Sequence, residues 1–441
     1  MVRLALLLFC CLPVCAQSYL GTGLPVCYIN TEDSLPIASK QNYVNAKITI
    51  TLNGDTLLRE TDVSVRGRGN ATWAAYPKKP YKLKFDKKTN ILSCNGKHFV
   101  LLANYCDKSL MRVGIGFQAS RLIGMEWTPA DDFVELVLNG EYLGNYQLAE
   151  TVRQAKDRLN IMDSGFLLQY DKYWYKNEPV YFFSDIYRYP MIVKFPDEED
   201  LTKAHYDYIK TEINGAERCI STNVSGIWDK FDLDSFAKWY YVSNVLMLYD
   251  ANYYFLKYDN KSGSKIHIGP LWDFEWCLGI GWYEGEERPN PNHELVNDCY
   301  FEQLSTDNAF MHRVLELHKE YGQLMKEGIL DYYDLLEEKL ALSQMENFKK
   351  WDILGETVSV GAYPLGSWEA EVACDKEFFV RHFDFLDAFF KDYEEYEVSV
   401  NGLPATNKKG SIYTIDGRLV PDGEMLRRGF YVKNGKKWFR P

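Results

Sequence analysis

The stretch YDANYYFLKYDNKSGSKIHIGPLWDFEW, from Tyr249 to Trp276, constrains the fold most strongly. Tyr253, Tyr254 and Phe255 read as a short aromatic strand, Ile266 to Ile268 as a second strand, and Lys261 to Lys265 as the glycine-containing turn between them. This is a β-hairpin with Asp250 at its entrance and Asp273 just past its exit. A hairpin brings its ends together, so two acids distant in sequence become neighbours that can hold a divalent cation. The segment before it, from Asp232, is apolar almost all round (Leu233, Phe236, Trp239, Tyr240, Val242, Val245) and reads as a buried helix. That helix is expected to deliver Asp250 at its negative C-terminal end, where a carboxylate is disfavoured unless a cation relieves it. One aspartate that takes a proton and one that binds metal is the pattern used to move phosphoryl groups.

A second stretch supplies the opposite charge. Val63 to Arg68 reads as a strand ending in glycines, and period two points Arg66 and Arg68 the same way. Tyr81, Leu83 and Phe85 form one face of a later strand, with Lys82 and Lys84 on the other. A glycine-bearing loop followed by lysines on a strand can cradle phosphates; a solvated basic strand face is the alternative.

The remaining segments fill in the architecture. Asp132 to Glu150 is a hairpin with Asn139-Gly140 at its tip as a type I′ turn, and Gly165 to Tyr170 is expected to add a strand to the same sheet. Asp107 or Ser109 is placed to cap a helix running to about Leu122, in which Gly114 and Gly116 signal close packing against a neighbour. Met191 to Phe195 reads as a strand carrying Lys194. Asp307 to Lys350 reads as amphipathic helix in two segments broken near Gly328, and Asp375 to Tyr393 as a further helix.

The chain of 441 residues favours more than one structural unit. Residues 1–16 read as a secretory signal, with Arg3, the apolar run Leu4 to Val14 and a cleavage site at Ala16. Residues 17–60 form an N-terminal β segment, 61–195 a β-rich region, 200–394 a helical region, and 395–441 a small β-module. No later segment is apolar enough to be transmembrane, so the mature protein is expected in the periplasm, at the cell surface or secreted. A lipidated Cys15 would attach it to that surface, although Val14 is bulky for such a site. The net charge of −12 argues against a nucleic-acid partner. Seven cysteines lie beyond the signal (Cys27, Cys94, Cys106, Cys219, Cys277, Cys299, Cys374) without a CxxC pair, which disfavours zinc. Cys94–Cys106 and Cys277–Cys299 are the nearest neighbours for disulfides, and buried free thiols are the alternative.

Five of these stretches, taken in order, resemble the CotH kinase family. They are RGRGNATW with KKPYKLKF (Arg66 to Phe85), LLANYCDKSLMR (Leu101 to Arg112), VELVLNGEYLGNYQLAE (Val134 to Glu150), the Asp250 turn, and GPLWDFEW (Gly269 to Trp276). The resemblance runs from about Asp62 to Gly281. It implies an α+β, atypical protein-kinase-like fold of two lobes, β-rich then helical. It also implies ATP with Mg2+ or Mn2+ as cofactors and Ser or Thr of a surface or secreted protein as acceptor. By resemblance, Asp250 is the catalytic aspartate, Asp273 and Asn252 bind metal, and Arg66, Arg68, Lys82, Lys84 and Glu150 surround the nucleotide. Asp107 and Arg112 match the family's helix-start pattern and are read as a structural ion pair. The sequence departs from the family in two places: Phe274-Glu275 follows the metal aspartate where Phe-Asp is common, and only Ala251 separates Asp250 from Asn252. An inactive cell-surface scaffold or glycan-associated binding protein is therefore the competing expectation. The tail, Gly410 to Gly417 with Arg428 to Lys437, is similar to the sorting tails of exported Bacteroidetes proteins.

Overall fold

In the computed structural model, residues 21–222, 224–281, 290–292, 295, 298–359, 362–400, 412–414, 420, 429–433 and 436–440 are described; the side chains of 396–400, 412–414, 429–433 and 436–440 are not. The expected secretory signal and most of the polar 282–297 segment lie outside the described residues.

The N-terminal half is a closed seven-stranded barrel. Its strands are β1 (Val26–Thr31), β2 (Val44–Leu52), β3 (Asp55–Gly67), β4 (Tyr81–Ile91), β5 (Cys94–Leu102), β6 (Asp131–Leu138) and β7 (Glu141–Glu150). They are ordered β1-β2-β3-β4-β5-β7-β6. Neighbours are antiparallel except β1 and β6, whose parallel pairing closes the barrel. Alternation along each strand supplies the inward face: Ile48, Ile50, Val63, Val65, Leu83, Phe85, Phe99, Leu101, Val134, Leu136, Tyr146 and Leu148 fill the interior. The residues between them, including Arg66, Lys82 and Lys84, point outward. The Asn139-Gly140 tip has φ of 50° and 83°, as a type I′ turn requires. The short helix α1 (Ala71–Ala75) lies between β3 and β4.

A second sheet, ordered β12-β11-β8-β10-β9, packs beside the barrel. It contains β8 (Phe166–Tyr170), β9 (Tyr181–Phe183), β10 (Pro190–Phe195), β11 (Tyr253–Lys257) and β12 (His267–Ile268). β8 was expected to extend the sheet of β6 and β7; it joins this sheet instead, because its partners are β10 and β11. The hairpin of β11 and β12 forms as the sequence indicates, with Phe255 opposite Ile268.

The helices are α2 (Arg112–Leu122), α3 (Lys203–Thr222), α4 (Leu233–Val245), α5 (Phe301–Leu304), α6 (Asn308–Lys350) and α7 (Trp368–Val400). α4 is buried almost all round. α6 is one continuous helix rather than two. A Cβ at Gly328 would lie 3.0 Å from Leu122, so that glycine admits α2 rather than breaking α6. α7 runs to Val400, past the expected start of the C-terminal β-module, whose strands β13 (Ile412–Thr414), β14 (Gly429–Lys433) and β15 (Lys436–Arg440) form a separate antiparallel sheet. No described helix is long and apolar enough to cross a membrane. Cys27, Cys94, Cys106, Cys219, Cys277, Cys299 and Cys374 form no disulfide, so neither pair nearest in sequence is bridged.

Candidate active site

A cleft of about 730 Å³ opens between the outer face of the barrel and the second sheet. Its lining carries both signs of charge. Arg66, Arg68 and Lys82 of the barrel region, with Lys40, bring cations to it, Asp250, Asp273 and Glu275 from the loops around the hairpin bring carboxylates, and Arg153, Lys172, Lys194, Asp171, Glu178 and Asp197 line it as well.

The cationic wall follows from strand register. Arg66 of β3 stands directly opposite Lys82 of β4. Like charges directly opposed across an antiparallel pair are destabilising. Burial, then Arg66, Arg153, Lys194 and Arg68, push the Lys82 ammonium down to about 7. Two of these neighbours have acids of their own: Lys194 pairs with Glu178 at 3.0 Å and Arg153 with Asp197 at 3.4 Å. Among the described residues, Arg66, Arg68 and Lys82 have no carboxylate at ion-pair distance. The buried Arg66 Nε has no hydrogen-bond partner. A cluster of cations that repel one another and leave donors unused is suited to a polyanion.

The acidic wall is built by loops at the ends of α4 and of the hairpin. α4 ends at Val245, so Asp250 lies in the connection beyond the helix rather than at its last turn. The Tyr249 amide donates to the Trp276 carbonyl at 3.0 Å, which draws the two aspartate-bearing loops together. Enclosure, and after it the charge of Asp273, push the Asp250 carboxyl up to about 6. Asp273 sits deep in the cleft with its side chain open to the cavity. Enclosure raises its carboxyl too, against the opposing pull of Arg68. Its backbone is left-handed, with φ of 70°, an uncommon conformation outside glycine that concentrates at functional sites. Asn252 Nδ2 donates to Asp273 Oδ2 at 2.8 Å, and Gln169 Nε2 donates to Asn252 Oδ1 at 2.8 Å. The amide of Asn252 thus orients Asp273, while its oxygen, the atom a metal would need, faces Gln169.

Packing fixes this loop. A Cβ on Gly116 would lie 2.1 Å from the Phe274 ring, so the glycine of α2 is the seat for the residue between Asp273 and Glu275. Arg112, buried at the start of α2, donates through Nε to the Cys277 carbonyl at 3.0 Å and through Nη2 to the Leu278 carbonyl at 3.3 Å. It also pairs with Asp107 at 2.6 Å and with Asp375. The expected Asp107–Arg112 pair is therefore present, and it clamps the loop.

Asp250, Asn252, Asp273, Arg66, Arg68 and Lys82 all line the cleft; Lys84 and Glu150 do not. Lys84 shares a face with Lys82 but lies opposite Ser64, where it is exposed, its ammonium 5.8 Å from the Tyr43 ring. Glu150 is buried, its carboxylate accepting from the amides of Asn95 at 2.9 Å and Ala130 at 3.3 Å and pairing with Arg158. Sequence reasoning missed Lys40, Arg153, Asp171 and Glu275 as lining residues. Glu275 appeared there as a departure from a pattern; it lies in the same cavity, and burial, then Asp273, push its carboxyl up to about 8.

The family model for CotH kinase protein matches residues 63–385. The chain belongs to this family. No curated protein matches it.

The CotH match covers both walls of the cleft from Arg66 onward. Among the described residues no three His, Cys, Asp or Glu side chains gather as a preformed metal site. Mg2+ is commonly held by one or two carboxylates together with substrate phosphates, rather than by an all-protein cage. Asp250, whose carboxyl Asp273 helps to raise, and Asp273 form an oxygen donor set that fits such an ion.

Proposed function

We propose that this CotH family member is an exported, ATP- and divalent-metal-dependent protein kinase that phosphorylates Ser or Thr of a surface or secreted protein. The barrel and the helix-backed second sheet serve as its two kinase-like lobes. The observation that carries this reading is that Arg66, Arg68 and Lys82, with no carboxylate at ion-pair distance among the described residues, line one cleft with Asp250 and Asp273. Arg66, Arg68 and Lys82 bind the phosphate chain and neutralise its charge. Asp273, aligned by Asn252 and with Glu275 beside it, would hold the metal. A bound Mg2+ or Mn2+ would supply positive charge that offsets the negative charge developing on the phosphates. Asp250 accepts the proton of the acceptor hydroxyl as its oxygen bonds to the γ-phosphorus and ADP leaves. Enclosure in the cleft and the like charge of Asp273 raise its carboxyl, which suits it to accept that proton.

A second reading has its own observation. Tyr173 is 68% exposed and Trp174 41% exposed beside the mouth of the cleft, where Asp171 accepts from both of their amides at 2.9 and 2.8 Å. Such a surface suits a glycan-associated binding protein without turnover. One experiment separates the two: thermal unfolding with ATP, with metal and with both, beside Asp273→Ala. At ligand a hundredfold above its dissociation constant, the kinase reading expects a gain of about 2.7 kcal/mol. The gain needs both ligands and disappears in Asp273→Ala. No metal-dependent response to ATP in the unmutated chain would leave the binding protein as the better account.

A further inference from the structure

Residues Ser39 to Tyr43 precede β2 and lie outside the region matched by the family model, which begins at residue 63. They are nonetheless fastened to the cationic wall. The Gly67 amide donates to the Ser39 carbonyl at 2.8 Å. The Arg66 guanidinium lies over the Tyr43 ring, 5.0 Å from its centroid. Between these ties, Lys40 lines the cleft and its ammonium donates to Asn70 Oδ1 at 2.9 Å.

Asn70 belongs to the glycine-bearing RGRGN turn that also carries Arg66 and Arg68. Among the described residues Lys40 has no carboxylate at ion-pair distance; the nearby Glu178 is engaged by Lys194. Burial and the two arginines lower the Lys40 ammonium from its ordinary range. The fold therefore spends backbone and side-chain ties to hold a further cation where cations already repel. A neutral carboxamide alone does not compensate such a charge, whereas phosphate oxygens would.

We propose that Lys40 is a phosphate-binding residue, which supplies with Arg66, Arg68 and Lys82 a fourth cation to the phosphate chain of the nucleotide. This rests on the nucleotide reading above and assigns part of that site to a segment the family match does not reach. Ser39 and Tyr43 act as positioning residues: they hold Lys40 over the turn and touch no phosphate themselves.

The test compares the full chain with Lys40→Met and Lys40→Arg. The measurements are binding of Mg-ATP, binding of adenosine (which lacks phosphates) and the melting temperature without ligand. Loss of a charge-assisted bond should weaken Mg-ATP on the order of ten- to a hundredfold in Lys40→Met. Lys40→Arg should recover most of the loss, with adenosine binding and the unliganded melting temperature unchanged in both. Equal Mg-ATP affinity in Lys40→Met and the unmutated chain overturns the proposal and leaves the nucleotide reading intact. Parallel weakening of adenosine and Mg-ATP overturns it in favour of a structural role. Absence of Mg-ATP binding in the unmutated chain overturns the nucleotide reading itself.

Discussion

Lys82 shows most directly how a single residue ties charge to chemistry here. Its ammonium is pushed down to about 7 by burial and four cations, so in the free protein it is largely neutral at pH 8. The unfolded chain keeps that proton to about 10.5, its ordinary value. The native state thus holds fewer protons between those values, and the contribution of Lys82 to stability rises with pH across that window. Below about pH 7 the full penalty of a charged Lys82 is present, so Lys82→Met should stabilise the unliganded protein there and have less effect towards pH 10. Bound phosphates reverse the balance by favouring the ammonium. Mg-ATP binding at pH 8 should therefore take up as much as about one proton per nucleotide, lost in Lys82→Met. Calorimetry in two buffers of different ionisation enthalpy measures that uptake. A binding heat that is the same in both buffers would contradict the cationic-wall account. Period two was enough to place Arg66 and Lys82 on an outward face, and a hairpin was enough to bring Asp250 and Asp273 together. Neither rule says how far along a strand the cleft extends, which is why Lys84 looked equivalent to Lys82. Lys40 was invisible for a related reason: it lies in no periodic element, and only tertiary pairing carries it to the site.

At the scale of elements, α2 and the loop after Asp273 behave as one piece. Gly114 and Gly116 signalled close packing in the sequence, but not what packs there; Phe274 does, against Gly116. The same limit explains Gly328, whose missing side chain read as a break in α6. Helix propensity counts the cost of glycine within the helix and cannot see Leu122 of α2 pressing on it. The clamp that completes the piece is Arg112, which joins Asp107, Asp375 and the carbonyls of Cys277 and Leu278 from a buried position. Arg112→Ala would leave two buried carboxylates unpaired and two carbonyls without their donor. Breaking a buried pair in this way costs roughly 3–5 kcal/mol. Urea unfolding should register that loss, and the Mg-ATP response should fall further than stability alone accounts for, because the loop carrying Asp273 loses its anchor. A loss below about 1 kcal/mol would show that solvent reaches the site and satisfies Asp107 and Asp375 unaided.

At the scale of the whole molecule, the question is which parts of the chain form one cooperative body. The sequence resemblance begins near Asp62, and residues 17–60 read from sequence as a segment that precedes the kinase-like region. Strand pairing ties them to it. β1 is hydrogen-bonded to β2 on one edge and to β6 on the other, so it is the strand that closes the barrel. Cys27, Ile29, Ala46, Ile48 and Ile50 belong to the same interior cluster as Leu83, Phe99 and Leu148. Alternation within each strand revealed the inward faces; closure depends on a parallel pairing between residues far apart in sequence, for which no local signal exists. The energetic consequence is large. Each buried Ile of this kind contributes about 1.5–3 kcal/mol, against about 5–15 kcal/mol for the stability of an entire domain. A chain that starts at residue 61 would lose several such side chains and expose the edges of β3 and β6. It should fail to unfold cooperatively in urea, as followed by tryptophan fluorescence, and should show no stabilisation by Mg-ATP. Because Lys40 leaves with the same segment, the melting transition is the decisive readout. If the shortened chain unfolds in one sharp step at an unchanged midpoint, the barrel does not need β1 and β2, and the region after residue 61 is a domain of its own.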